Sequence, residues 1–393
     1  MKLFTKYLKH LLFILVAGWF IFKPLNRIEE INPIKRELSD FRFTDIYFGH
    51  FKEKKLDEDI VLVDIGLKGN KRSRIEITNF LNRINDHHKP KVIAMDVDFK
   101  YDPNIPNENE VNTNLINALD NENIVMYYDL VRRNNRWLKN WSEIPIDYSK
   151  IENGYTNCLV EKDKFGVLRF FQPYVIQDED TMRHLSLVIS EKFGAQNNSS
   201  LKINKKAMIN FSYSYNKPMD ITDTINLETL KNKIVIVGLF TKKNGQPFYN
   251  DDLHYTSSNK NYLGKSFPNM YGGEVLATLV SNIKAEENEE TFIEYKKNRS
   301  LIINIILSFI IYYLLLYFKA YFPELYGTIE IIIKFVLVSV FILISIIFID
   351  KSNVYIDLTM VGVISFFAVE FVGPIDHVIS VIENKIKNFR LVK

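Results

Sequence analysis

Hydrophobic residues form long uninterrupted runs at the two ends of the chain and short runs between them. One long run covers residues 11–22, and three more follow one another at 301–318, 331–349 and 354–372. A helix of about 20 apolar residues is long enough to cross a bilayer, and soluble domains rarely contain several in succession. The pattern therefore predicts four transmembrane α-helices, one N-terminal and three C-terminal, with the lipid bilayer as a partner.

The first long run has two interpretations, an uncleaved anchor and a cleaved signal peptide. Signal peptides end in small residues at the cleavage site, whereas Trp19, Phe20 and Phe22 stand at the end of this run. We therefore predict that residues 1–23 form an uncleaved transmembrane anchor. Four helices place both termini on one side of the membrane, and basic residues near both termini favour the cytoplasmic side.

Short apolar runs rich in β-branched residues occupy the region between the anchor and the second long run. The four clearest are IVLVDI (60–65), VIAMDV (92–97), IVMYY (124–128) and IVIVGL (234–239). Runs without polar alternation are typical of strands that are buried on both faces of a parallel sheet. Helical spacing between the first three runs completes a βαβαβ pattern, which predicts an α/β domain with a mostly parallel central sheet over residues 24–298.

Weaker patterns predict the remaining elements of this region. Apolar residues at helical spacing favour a helix within 28–55, before the first strand. Further strands are expected at 154–160, 167–171 and 208–213, and helices at 185–193 and 274–283. Residues 139–150 are polar and are expected to form a loop.

Composition excludes a few classes of function. The 393 residues include 50 Lys and Arg against 47 Asp and Glu, a net charge of +3, so no overall field favours nucleic acid as a partner. Cys158 is the single cysteine, which excludes an internal disulfide, a CxxC redox pair and a thiolate zinc cage. We expect no cofactor.

Aspartates at the predicted strand ends are the main candidates for chemistry. Asp64, Asp96, Asp98 and Asp129 lie at or just past the carboxyl ends of strands, the edge at which open α/β sheets bind ligands. A polar loop, Asp252-Leu-His254-Tyr-Thr256, follows a later strand, as functional loops often do. The candidate ligand-binding residues are Asp64, Arg72, Arg74, Asp96, Asp98, Asp252, His254 and Thr256.

These aspartates have three competing interpretations. They could cap the next helix or pair with Arg72, Arg74 or Arg169 in a purely structural role. They could bind a ligand or, through hard oxygen atoms, a divalent cation. A phosphatase-like enzyme would use Asp96 as the nucleophile and Asp98 as the acid. We favour structural pairing, then ligand binding, then catalysis, and whether a metal binds stays open.

The order of the segments resembles a CHASE2 domain, the extracytoplasmic sensory module of bacterial receptors. The matching pieces, in chain order, are DIVLVDIG (59–66), KVIAMDVDF (91–99), GYTN (154–157), DKFGVLRFFQPYV (163–175), LSLVIS (185–190), INFSY (209–213), LKNKIVIVGL (230–239), DDLHYTS (251–257) and MYGGEVLATLVSNI (270–283). One helix before the domain and three after it is the usual arrangement of the family. The sequence departs from the family in three places, at KGNKRSR (68–74), Ser257 and Leu276.

The resemblance implies a sensor in the bacterial inner (cytoplasmic) membrane. Receptors of this family carry a cyclase or kinase after the last membrane helix, whereas residues 374–393 here form only an amphipathic cytoplasmic tail after three helices within 299–373. A catalytic domain needs on the order of 100 residues, so we expect no enzymatic activity in this chain. An unknown small-molecule or ion ligand and a separate cytoplasmic or membrane signalling partner are implied, and dimerisation is usual in the family.

Two other functions stay open from sequence. A metal-dependent extracytoplasmic hydrolase would use Asp96 and Asp98. A scaffold that assembles envelope proteins would need no small ligand.

Overall fold

The computed structural model describes most of the chain and divides it into two compact units. The described residues are 5–10, 42–65, 74–87, 89–100, 107–157, 166–195, 201, 205–223, 227–240, 252–260, 268–285, 292–358, 361–362, 373–382 and 384. The sheet unit is Asp45–Glu294, and the helical unit combines Met1–Thr44 with Tyr295–Lys393.

A mostly parallel sheet forms the centre of the sheet unit. Its strands are β1 (Ile60–Asp64), β2 (Val92–Met95), β3 (Ile124–Arg133), β4 (Arg136–Asn140), β5 (Glu152–Tyr155), β6 (Met219–Asp220) and β7 (Ile234–Gly238). The order across the sheet is β6-β1-β7-β2-β3-β4, and β5 also pairs with β3. Every pair is parallel except β3 with β4. The predicted mixed α/β fold with a mostly parallel sheet is confirmed.

Helices cover both faces of this sheet. They are α1 (Arg74–His87), α2 (Glu108–Leu119), α3 (Leu185–Phe193) and α4 (Gly272–Lys284). Val235 and Val237 of β7 belong to the core that includes apolar residues of α1 and α2, while Ile234 and Ile236 belong to the core that includes residues of α3 and α4. Because successive side chains of a strand point to opposite faces, both sets are buried, which explains the unbroken apolar runs in the sequence.

Two hairpins were absent from the sequence prediction. β3 turns into β4 through Asn134 and Asn135, both in the left-handed region with φ of 48° and 62°, as two-residue hairpin turns require. The polar loop expected at 139–150 is therefore wrong at its start, where residues to 140 belong to β4. A second hairpin pairs Tyr174–Gln177 with Asp180–Arg183.

Several predicted elements have different bounds in the structure. Within the helix expected at 28–55, the described residues form a short α-helix at Phe43–Ile46, a π-helical turn at Tyr47–Phe51 and a strand at Lys55–Leu56. The strand expected at 208–213 is replaced by two short strands, Ala207–Met208 and Tyr213–Ser214, and that at 167–171 is reduced to Phe170–Phe171. The other short elements are a 3-10 helix at Leu227–Leu230 and strands at Leu253–His254, Met270–Tyr271, Glu294–Tyr295 and Val354–Tyr355.

The helical unit contains α5 (Lys297–Tyr321) and α6 (Pro323–Ser352). Within the residues that the structure describes, two helical segments are long and apolar enough to cross a membrane, Lys297–Tyr321 and Phe335–Ser352. The predicted span at 354–372 instead begins with the strand Val354–Tyr355, and residues 363–372, like the whole predicted run at 11–22, lie outside the described residues. Two of the four predicted spans therefore correspond to described helices that could cross a membrane.

An acidic residue joins distant parts of the chain within the helical unit. Asp376, in the helical segment at 373–382, forms ion pairs with Lys6 and with Lys319 of α5, at 2.7 and 3.2 Å. His10 also reaches the same carboxylate, with Nε2 3.0 Å from Oδ1. The segment 5–10, the end of α5 and the segment 373–382 are thus held together by one carboxylate.

A buried ion pair stabilises the sheet unit. Arg169 Nε donates to Asp45 Oδ1 at 3.0 Å, and a second guanidinium nitrogen reaches Oδ2. The two side chains are 5% and 1% exposed. The pair therefore connects the short α-helix Phe43–Ile46 with the segment before the strand Phe170–Phe171.

We expect Arg169→Met to destabilise the sheet unit by about 3–5 kcal/mol, because the substitution leaves the buried Asp45 carboxylate without its cation. Urea unfolding followed by the fluorescence of Trp137 and Trp141 measures the loss. Arg183→Met is the matched control, since Arg183 forms an exposed pair with Glu191 and its loss is expected to cost at most about 1 kcal/mol. Equal losses in both variants would contradict the role given to the buried pair.

Candidate functional site

A cleft of about 540 Å³ lies at the carboxyl edge of the sheet. Residues just past the ends of β1, β2, β5 and β7 contribute to it, together with β3. The N-terminal turn of α4 and His184, the residue that caps α3, complete the lining. Parallel strands bring their carboxyl ends to one edge, so the cleft is built from segments that are far apart in sequence.

Four aspartates from three parts of the chain line this cleft. Asp96 and Asp98 follow β2, Asp129 belongs to β3, and Asp252 belongs to the loop before α4. The backbone N–H of Asp96 donates to the Val237 carbonyl at 2.9 Å, which extends the ladder between β2 and β7 and fixes this residue at the cleft. Asp252 is held by its carbonyl, which accepts from the Gly272 N–H at 2.9 Å.

Burial raises the pKa values of Asp96, Asp129 and Asp252. The pKa of Asp96 is raised to about 7, first by burial and then by the charges of Asp252 and Asp129. Burial raises the pKa of Asp252 to about 6, with the nearby Glu274 adding to the effect and a Gly272 backbone hydrogen bond opposing it. Burial and the charge of Asp98 raise the pKa of Asp129, while Lys100 opposes the rise.

Positive charge is scarce around these acids. Among the described residues that line the cleft there is no Lys or Arg. Lys100 pairs with Asp98 at 3.3 Å, but both side chains are largely exposed. The cleft therefore concentrates negative charge in a region partly withdrawn from water, where it costs most.

Two histidines on the cleft wall are neutral at pH 7. Burial lowers the pKa of His254, and it lowers the pKa of His184 to about 3, against a small rise from the Thr156 backbone. His184 is 1% exposed. Its Nδ1 accepts from the Ser186 N–H at 3.2 Å, which caps α3. The proton of this neutral ring is therefore assigned to Nε2.

The structure brings together four of the predicted site residues, Asp96, Asp98, Asp252 and His254, in this cleft. Thr256 is buried in its loop and hydrogen-bonds Asn269 and Ser258. Arg72 lies outside the described residues.

Asp64 and Arg74 have partners away from the cleft. Asp64 Oδ1 accepts from the Phe240 N–H at 3.0 Å and so fixes the chain after β7. Arg74 donates to Glu108 and Asn112, each at 2.7 Å, and connects α1 with α2. The expected pairing of strand-end aspartates with Arg74 or Arg169 is wrong, because Arg74 pairs with Glu108 and Arg169 with Asp45.

Several lining residues were not among the predicted ones. Tyr127, Thr156, Asn157 and His184 reach the cleft. Tyr127 sits in an apolar run whose sequence resembles core, and His184 stands directly before a helix. A residue at that position is expected to act as a helix cap, so nothing in the sequence assigns His184 to a ligand site.

Gly272 and Gly273 are needed for close packing at the start of α4. A Cβ on Gly272 would collide with the Asp252 carboxylate, and one on Gly273 would lie 2.6 Å from the Phe240 ring. The carboxylate of Asp252 therefore lies close to the N-terminus of α4. Negative charge is favoured there by the helix dipole.

The described side chains do not form a complete set of metal ligands. Within the part of the chain that the structure describes, no group of three or more His, Cys, Asp or Glu side chains is arranged to hold a metal ion.

A parallel α/β sheet with a polar cleft past its carboxyl edge is typical of ligand-binding domains. The CHASE2 domain family model matches residues 12–314 of the chain. The chain therefore belongs to the CHASE2 domain family, whose members are extracytoplasmic sensory domains. Comparison with curated proteins and with solved structures gives no match.

We expect Asp96→Asn to stabilise the sheet unit at about pH 8 by on the order of 2 kcal/mol. With the folded pKa raised to about 7, the folded protein keeps the Asp96 proton between about pH 4 and pH 7 while the unfolded chain releases it, so this contribution to stability is lost as pH rises. An Asn side chain resembles the protonated Asp96 side chain and does not titrate, so the substitution removes this loss of stability at high pH.

Urea unfolding at a series of pH values measures this difference. The advantage of the variant should disappear near pH 4, where Asp96 is protonated in both states. Asp120→Asn, at an exposed position after α2, is the control and should behave as wild type throughout. A pH-independent effect of Asp96→Asn would show that the side chain acts through packing.

Proposed function

We propose that this protein is a membrane-anchored extracytoplasmic ligand-sensing module that signals through a separate cytoplasmic or membrane partner. The cleft at the carboxyl edge of the sheet is the proposed ligand site. Its volume of about 540 Å³ lies within the range of pockets that bind small molecules, about 300–1,000 Å³. This cleft, together with membership in a sensory family, is the observation on which the proposal depends.

The position of α4 gives a route for the signal along the chain. Its first turn lines the cleft, and residues 285–296 connect its end to α5, an apolar helix long enough to cross a membrane. A ligand that binds two positions of α4 with unequal affinity would shift the equilibrium between them. In the helical unit, Asp376 would transmit a movement of α5 to the segment 373–382 through its pair with Lys319.

A hydrolase and a scaffold are the competing functions. A hydrolase requires that the purified protein cleaves phosphoesters with Mg²⁺ and that Asp96→Asn abolishes the activity. A scaffold requires a fixed protein partner and no response to small molecules.

We expect Thr156→Trp to abolish the stabilisation of the protein by its ligand, because the indole would occupy the cleft that Thr156 lines. Thermal unfolding of the full-length protein in detergent micelles, screened against cationic, neutral and anionic small molecules, measures the stabilisation. Thr181→Trp, on the exposed face of the second hairpin, is the matched control and should respond as wild type does. If every stabilising compound acts equally on both variants, the cleft is not the ligand site.

We also propose a multi-pass topology in the bacterial inner membrane with both termini cytoplasmic. Alkaline phosphatase fused after Asn140, an exposed residue at the end of β4, should be active because the sheet unit would be exported. The same enzyme fused after Lys393 should be inactive, and a green fluorescent protein there should fluoresce. Phosphatase activity at Lys393, or none at Asn140, would overturn this topology.

A further inference from the structure

We infer that the ligand of the cleft is a hydroxylated organic amine, such as an amino sugar or an amino alcohol. This inference rests on the proposed function, since it names the chemical class that the same cleft would recognise. Two independent features carry it, a set of carboxylates with no Lys or Arg among the described residues that line the cleft, and a buried imidazole N–H without a well-placed acceptor.

The carboxylates indicate a positively charged group. Asp96, Asp129 and Asp252 come from separate elements and all face one cavity. The described lining contains no Lys or Arg to balance them. An ammonium group placed among them would supply the missing charge and donate charge-assisted hydrogen bonds, which are stronger than neutral ones. An anionic ligand would meet repulsion from the same three groups.

His184 indicates a second, neutral polar group on the ligand. The side chain is 1% exposed and lines the cleft. Its Nε2 makes no hydrogen bond of good geometry, although the Thr156 backbone is near enough to favour a proton there. Since Nδ1 accepts from Ser186, Nε2 carries the hydrogen and needs an acceptor. A ligand hydroxyl would accept a hydrogen bond from this N–H. A ligand carboxylate could accept it too, but the nearby aspartates would repel its negative charge.

The size and walls of the cleft favour an organic molecule over a bare metal ion. The cavity of about 540 Å³ is far larger than a single ion needs. Val275 and Leu279 of α4 add apolar surface, and Tyr127 adds an aromatic ring, which a ligand cation can contact through its face. The described residues also lack a group of three metal ligands.

Binding of such an amine should be linked to proton release. At about pH 5, Asp96 and Asp252 are protonated, because their pKa values are raised to about 7 and about 6. Among the described residues, the other titratable groups around them are Asp129, Asp98 with Lys100, Glu274, the neutral His184 and His254, and Tyr127 and Tyr271, whose pKa values burial raises. Affinity for an amine that stays protonated should therefore rise as pH increases from about 5 to about 8.

Isothermal titration of the full-length protein in detergent micelles with two matched sets of compounds tests the inference. The first set is 4-aminobutan-1-ol, butane-1,4-diol and butylamine, and the second is glucosamine, glucose and cyclohexylamine. In each set the first compound has both groups, the second lacks the charge and the third lacks the hydroxyl. We expect the first to bind at least about tenfold more tightly than either of the others, a difference of about 1.4 kcal/mol.

Two variants separate the contributions of the two features. Asp96→Asn should weaken binding of both amines of the first set by about tenfold and flatten the pH dependence. His184→Asn keeps an acceptor for the Ser186 N–H at the start of α3, so it should fold, and it should abolish the preference for 4-aminobutan-1-ol over butylamine. Asp120→Asn is the control and should leave both values unchanged.

The outcomes distinguish this inference from the proposed function. If the diol or glucose binds as tightly as the amines, and Thr156→Trp abolishes that binding, the cleft is a ligand site but the inferred class is wrong. If Mg²⁺ or Ca²⁺ alone binds and the amines do not, the carboxylates form a metal site and the inference is overturned. Absence of binding by both hydroxylated amines at millimolar concentration also overturns it.

Discussion

The parallel pairing of β1, β7 and β2 is the constraint on which the rest of the sheet unit depends. Parallel pairing in this register places the residues that follow these strands side by side at one edge. Helices bury both faces, so the edge is the part of the sheet that remains open to a ligand. Residues from β2, β3 and the loop before α4 meet there only because the ladder holds them.

Much of this fold could be predicted from the sequence, because the signals were local and strong. The four apolar runs of the sheet and the helix at 185–193 are recognisable from composition and spacing, and each corresponds to an element. β4 escaped prediction because its five residues are mostly exposed and show no apolar alternation, and its hairpin depends on the left-handed conformations of Asn134 and Asn135. Short strands such as Ala207–Met208 are set by a distant partner, which no local pattern reveals.

The candidate site was only partly predictable for the same reason. Strand-end aspartates follow from the position of the strands, so Asp96 and Asp98 could be proposed from sequence, and Asp252 from its polar loop. The different role of Asp64 could not, because it depends on the backbone of Phe240, far along the chain. His184 was missed because its side chain caps a helix with one ring nitrogen and also lines the cleft, and sequence shows only the position before the helix.

The edge strand β4 is shielded against the addition of a strand from another molecule. An unpaired strand edge is a template on which another chain can add a strand, and confinement to a surface raises the frequency of such encounters. The Gln177 side chain closes part of this edge, because it accepts from the Trp137 N–H and donates to the Trp137 carbonyl at 3.0 Å. Lys139 of β4 also pairs with Asp180 at 3.3 Å. A strand from another molecule would have to displace these contacts, so β4 is a poor template for a continuous intermolecular sheet.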